Sequence, residues 1–386
     1  MAAARERSIQ LHVPSHEERK VGWLELFYDL IYVATIIQLG NLLADDPSPT
    51  GALLFVLLFV PIWWSWTGMM FFFNRFVVDD VWHRVLVFVQ MFAIAHLAIS
   101  VTGAFGETSG AFALAYFGVR GVLVVFYLRA YLAAPDARPL VRRYAVGFAI
   151  AAAFWLLSVF VPAPYRFALW GLGLAVEFYV PLSAGSRRLQ HLLPPDPVHF
   201  AERYGLFTII VMGESFIKVV GGLAGRGVDL DTLVLSALGF VIAACVWWLY
   251  FDSTHGAVME SSGGARYLWI YGHLPLTLGI TSIGVALKKL AVLPLGEPIS
   301  DAARWLLGLA VVVCLLAFAL LDAVRAAARH RSIVLDVTVR LAGAAVVLAV
   351  TLFGAALPAL TVGLTVALSC ALPVVVLEAT KRARSA

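Results

Sequence analysis

The stretch "WLELFYDLIYVATIIQLG", Trp23 to Gly40, decides the class of fold. It is apolar enough to lie in lipid, yet Glu25 and Asp29 sit one helical turn apart inside it. A carboxylate at the bilayer centre costs about 2.5–3.5 kcal/mol even on the insertion scale most tolerant of charge. Two of them on one helix face need partners or a function to offset that cost.

The whole chain shares this character. Of 386 residues, 61% are hydrophobic and 13% charged, and the mean hydropathy is +0.89. A soluble domain carries roughly a quarter of its residues as Asp, Glu, Lys and Arg. The composition therefore defines an all-α, polytopic membrane protein. Its three cysteines, Cys245, Cys314 and Cys370, all fall in apolar segments. They form neither a disulfide framework nor a metal-ligand spacing. The opening MAAARERSIQLHVPSHEERK is polar and charged, so residues 1–20 read as a cytosolic leader rather than a cleavable signal.

A helical span needs about 20 mostly apolar residues. That ruler marks twelve spans: 21–43, 51–73, 83–103, 110–133, 141–162, 165–185, 202–223, 231–252, 267–290, 303–325, 333–356 and 358–379. The breaks are turn-like, as at Asp45-Asp46-Pro47 and Pro194-Pro195-Asp196-Pro197; the last hairpin rests on Pro358 alone. Cytoplasmic loops accumulate Lys and Arg. With the N-terminus inside, 19 of the 28 basic residues fall in inner loops and tails and 5 in outer loops. The remaining four, Arg120, Arg203, Lys218 and Arg340, lie within spans. This asymmetry predicts both termini inside, and it accounts for the net charge of +4 without any nucleic-acid partner.

The halves also echo one another. Glu25-Leu26-Phe27 opens span one and Glu202-Arg203-Tyr204 opens span seven, and paired tryptophans recur at Trp63-Trp64 and Trp247-Trp248. Arg84 and Arg266 precede spans three and nine, while Glu177 and Glu378 precede basic clusters. These echoes predict a tandem repeat of six spans each, residues 21–190 and 191–386, parallel about an axis along the membrane normal. Tryptophan belts and positive-inside arginines also recur in any polytopic protein.

Within the spans, Glu25 and Asp29 share a face with Tyr28 and Tyr32 nearby. Two adjacent carboxylates repel, so a cation or a proton is expected beside them. In "HFAERYGLFTIIVMGESFIKVVGG" (199–222), Glu214 and Lys218 are again four apart. At about 1.5 Å per residue Glu214 falls near mid-membrane, as a structural ion pair or as a solute or ion site. Gly213 and Gly221-Gly222 around them would permit close helix approach. In span nine His273 precedes Pro275, and it is open to a protonation role or to simple packing. Arg120 and Arg340 need acidic partners, for which Asp29, Glu177 and Glu214 are candidates.

Three segments together resemble a known family, the bacterial low temperature requirement A proteins. "ELFYDLIYVATIIQLG" (25–40) looks like that family's first-helix signature, "ERYGLFTIIVMGES" (202–215) its second, and "YGHLPLTLGI" (271–280) its His-Leu-Pro element. The matching positions are Glu25, Phe27, Asp29, Glu202, Arg203, Gly205, Gly213, Glu214, Ser215 and His273, with Tyr28 where the family usually has Phe. The resemblance implies a link to growth in the cold and names no substrate. The Phe27-x-Asp29 pattern is also faintly similar to the lysosomal potassium-channel family built from six-span units.

No P-loop, GxGxxG, HExxH, CxxC or GxSxG motif occurs. The expectation is therefore a non-enzyme with no cofactor and no metal, embedded in the lipid bilayer of the bacterial inner membrane. Its leading reading is a proton- or cation-coupled secondary transporter of an unknown small solute or ion. Glu25, Asp29, Glu202, Arg203, Glu214, Lys218 and His273 are the candidate binding or coupling groups. An ion channel with its pore between the halves, and a non-transporting protein that supports the membrane in the cold, are the alternatives. The chain is compatible with a homo-oligomer.

Overall fold

The computed structural model describes residues 9–11, 21–78, 80–223, 229–254, 264–329 and 334–385. Most of the expected 1–20 leader lies outside the described residues. Thirteen α-helices follow in order among the described residues. They begin with α1 (Trp23–Asp45), α2 (Pro49–Arg75), α3 (Val81–Ser100), α4 (Ser109–Ala133) and α5 (Arg138–Ser158). Next come α6 (Tyr165–Leu182), α7 (Ala184–Leu192), α8 (Pro197–Leu223) and α9 (Leu230–Leu249). The last four are α10 (Gly264–Leu290), α11 (Asp301–Arg329), α12 (Val334–Phe353) and α13 (Ala359–Ser385). A single π-helical turn, Tyr250–Thr254, extends α9. A two-stranded pairing joins β1 (Gln10–Leu11) antiparallel to β2 (Phe76–Val77), with Gln10 opposite Val77, and an isolated antiparallel bridge joins Pro298 to Pro358.

Eleven helices are individually long and apolar enough to cross a membrane, one fewer than the twelve spans expected. The difference lies at the sixth expected span, 165–185. There α6 stops at Leu182, and the chain bends by 47° into α7; counted as one broken span, the pair restores twelve. The cause is local. Ser183 adopts an extended backbone and its hydroxyl accepts a bond from the Ser186 N–H, which starts a new helix instead of continuing the old one. The hairpin expected from Pro358 alone does form: Leu357 N–H bonds Gly354 O at 3.1 Å, and Ala359 N–H bonds Glu297 O at 2.8 Å.

Other helix starts follow the same capping logic. Asp80 accepts from the His83 N–H at 2.6 Å, and Asp229 from the Thr232 N–H at 2.8 Å. The latter bond holds the Asp229 carboxyl below the usual carboxylate range. At α8, Pro197 occupies the first helical position, where its missing N–H costs nothing, and the Asp196 side chain accepts from the Val198 and His199 N–H groups.

The chain gathers into two compact units. One comprises Met1–Leu39 with Leu57–Arg203, the other Gly40–Val56 with Tyr204–Ala386, so the boundary falls inside α1, α2 and α8. In the first, aromatic rings fill the interior: Trp155 stacks on Trp170 with centroids 5.1 Å apart, and Tyr116 lies 4.0 Å from Trp155. In the second, helices close on small residues. A Cβ at Gly279 would stand 2.6 Å from Cys314 Sγ, and one at Gly284 would stand 2.5 Å from Ser215 Cβ. Lipid is as apolar as a leucine core, so such close van der Waals packing rather than the hydrophobic effect holds these helices together. Gly213 and Gly221, expected to serve this purpose, have no neighbour within 4 Å of their would-be Cβ. Gly222 does serve it, since a Cβ there would stand 2.7 Å from Lys288 Cγ on α10, and Gly284 on α10 admits Ser215 of α8.

Candidate functional site

The inner face of α1 is set by its own spacing. Glu25, Tyr28, Asp29 and Tyr32 fall on one stripe and are buried, while Phe27 and Leu30 on the other side are exposed. The carboxylates thus face protein, and hydrocarbon faces outward. Helix α8 answers with a matching pair four residues apart. Arg203 Nη1 donates to Glu25 Oε2 at 2.7 Å, and its Nη2 donates to Asp29 Oδ1 at 2.6 Å. His199, one turn earlier, bonds the same Glu25 oxygen through Nε2 at 3.1 Å. Trp66 on α2 completes the group, its indole N–H donating to Asp29 Oδ1 at 2.8 Å.

The start of α8 is pinned so that these groups meet. Asn74 at the end of α2 donates to Asp196 O at 2.9 Å and accepts from the Asp196 N–H at 2.7 Å. Its Nδ2 also lies 3.4 Å from His199 Nδ1. That network assigns the histidine tautomer: Nε2 carries the proton given to Glu25, and Nδ1 accepts. Asp29 is wholly buried, and its second oxygen, Oδ2, has no hydrogen-bond partner among the described residues. A buried, unused carboxylate oxygen carries a desolvation cost of several kcal/mol unless a proton or ion occupies it.

Tyr28 and Tyr32 continue the polar stripe. The Tyr28 hydroxyl lies 3.5 Å from that of Tyr32, which lies 2.9 Å from Ser65 Oγ.

The other two intramembrane arginines, Arg120 and Arg340, are sealed separately. Arg120 on α4 grips Glu177 on α6: Nε donates to Oε1 at 2.9 Å, Nη2 bonds Oε2, and the Tyr116 hydroxyl donates to Oε2 at 3.0 Å. Both side chains have no exposure. Arg340 on α12 bonds Asp322 on α11 at 2.7 Å. Asp322 was not among the three acids expected to serve Arg340, and it corrects that expectation. Its place in an otherwise apolar span was the signal for it.

Other expected residues lie apart from the cluster. Glu202 is half-buried and joins none of these bonds. Glu214 and Lys218 are both half-buried and attract each other electrostatically. The Lys218 ammonium occupies the space a Cβ would fill at Gly40. His273 is fully buried on α10. Its Nδ1 donates to Trp269 O at 2.7 Å, and its Nε2 lies 3.1 Å from the Tyr250 hydroxyl. Rings of Tyr204, Trp269 and Tyr250 surround it. Trp66, Asn74 and His199 are the members that sequence reasoning missed. The i, i+4 spacing of His199 and Arg203, equal to that of Glu25 and Asp29, was the available clue. Among the described residues no group of three or more His, Cys, Asp or Glu could hold a metal ion.

Many apolar helices of membrane-crossing length, with their acidic groups turned to the interior, define a polytopic α-helical membrane protein. Within that class, residues 20–369 match the family described as bacterial low temperature requirement A protein, LtrA, and the chain belongs to it. It is also similar to an uncharacterized protein of Rhizobium meliloti (strain 1021), 29% identical over 285 residues that cover 69% of each chain. Glu25, Asp29, His199 and Arg203 all fall inside the family match.

Proposed function

We propose that this protein is a secondary transporter of the bacterial inner (plasma) membrane, coupled to a proton or cation, and not an enzyme. In this reading both termini are cytoplasmic, the chain is a six-plus-six tandem repeat, and transport of a small solute or ion supports growth in the cold. The observation that carries it is Asp29 Oδ2, a buried carboxylate oxygen without a described partner. It sits in a cluster where His199, Glu25 and Arg203 can exchange or balance a proton. Glu25, at the start of α1, is the cluster's slightly exposed end, and Asp29 its closed end. A proton reaching Asp29 weakens its hold on Arg203, which is the kind of differential contact a coupled cycle needs. Glu214 and Lys218 are proposed as the polar groups of the solute path, because they are charged and half-buried within a span.

The test is proton flux in proteoliposomes enclosing a pH indicator, with a solute or cation gradient imposed. Wild-type protein is expected to move protons with at least one such gradient, and Asp29→Asn to abolish that flux while remaining monodisperse. Flux unchanged in Asp29→Asn would remove the assignment. Unitary current steps in a planar bilayer would make the protein a channel instead. A non-transporting role is the second reading, favoured by the complete burial of Arg120 and Glu177. Absence of flux under every gradient would establish that reading.

A further inference from the structure

The bend between α6 and α7 creates a feature that the transport reading does not use. A cavity of about 550 Å³ opens there, walled by α5, α6 and α7. Arg142, Arg143, Ser183 and Ser186 line it together with apolar groups including Val146 and Val180. Arg142 and Arg143 are exposed, and among the described residues neither has a hydrogen-bond or ion-pair partner. The Arg143 guanidinium lies against the backbone of Gly185 in the first turn of α7, where a Cβ would come within 2.5 Å of it. Arg187 and Arg188 add exposed positive charge on α7 itself. By contrast, Arg138 is engaged elsewhere, donating to Tyr131 O at 3.0 Å.

The wall is held in place. Gln190 on α7 donates to the Tyr144 hydroxyl of α5 at 2.6 Å and to Pro181 O of α6 at 2.9 Å. A short basic helix turned out of line with a membrane span lies where headgroups meet acyl chains. Basic cavities between spans at that depth suit lipid phosphates, with the guanidinium giving paired hydrogen bonds. We propose that this cavity binds an anionic phospholipid. Its phosphate lies between Arg142 and Arg143 at the first turn of α7, and its glycerol and upper acyl carbons lie along Val146 and Val180. The charge commits the site to an anionic headgroup, and the adjoining apolar wall commits it to a lipid.

The experiment uses the full chain purified in a neutral detergent. Short-chain phosphatidylglycerol is titrated in, and the lipid-bound fraction is read by native mass spectrometry, with phosphatidylcholine and inorganic phosphate as comparison probes. Each arginine near a charged headgroup contributes about fivefold in affinity. Arg142→Gln is therefore expected to weaken phosphatidylglycerol binding about fivefold, and Arg142→Gln with Arg143→Gln about 25-fold. Arg142 makes no described bond, so the single variant keeps the readout if the double variant aggregates. Equal binding by wild type and Arg142→Gln overturns the site. Phosphatidylcholine bound as tightly as phosphatidylglycerol also overturns it, and so does complete displacement of the lipid by millimolar inorganic phosphate.

Discussion

The first and second halves of α8 carry the same sequence device and use it in opposite ways. His199 and Arg203, four apart, reach across to another four-residue pair, Glu25 and Asp29, and are buried with them. Glu214 and Lys218, also four apart, stay half-buried. Spacing decides which side chains share a helix face. The facing helix decides whether that face becomes a dry network or stays open. In the first half an acidic α1 stripe and a tryptophan face α8. Around the second half, Gly284 brings α10 close at Ser215, and Gly40 yields its space to the Lys218 ammonium.

Removing one member of a fully sealed pair should break this contrast most visibly. Glu177→Gln leaves Arg120 buried without its countercharge, and a loss of about 3–5 kcal/mol is expected by denaturant or thermal unfolding in detergent. Arg120→Met combined with Glu177→Leu should recover most of that loss, because apolar replacement of a buried pair is close to neutral. A double variant as unstable as Glu177→Gln would mean that the pair does more than fill its space. Asp29→Asn comes next, at about 1.5–3 kcal/mol, since it weakens a charge-assisted bond to Arg203 but keeps the side chain's shape. Gly284→Ala should cost about 1–3 kcal/mol by forcing α10 away from Ser215, and a milder effect would show that the two helices are free to separate. Glu214→Gln, which removes no described hydrogen bond, is expected to change stability by no more than about 0.5 kcal/mol, as for other substitutions away from bonded networks. A large loss there would place Glu214 with the sealed charges and erase the difference between the halves.

Much of the fold was legible along the chain. Hydropathy marked twelve spans, eleven of which are single helices of membrane-crossing length among the described residues, and the Asp-Pro and paired-proline breaks lie where helices end. At the sixth span, composition does not register that Ser183 restarts the helix, so 165–185 is a broken element, α6 bent into α7. The i, i+4 acids of α1 were legible as needing partners, but the partners themselves were not. Arg203 and His199 stand 178 and 174 residues from Glu25, and nothing in one sequence measures such a distance. Arg340 illustrates the same limit: three acids were candidates, and the one it meets, Asp322, was a fourth.

The sequence by itself determined that this chain enters a membrane, where most of its crossing helices run, and which charged groups are too costly to leave facing lipid. These follow from transfer free energy and helix periodicity, which act locally along the chain. Only the tertiary structure decided which charge meets which, that Asp29 keeps one oxygen unused, and that a bend beside Ser183 opens a basic cavity. Pairing depends on side chains from distant helices arriving at the same depth and facing the same way, and that is a property of packing rather than of sequence order.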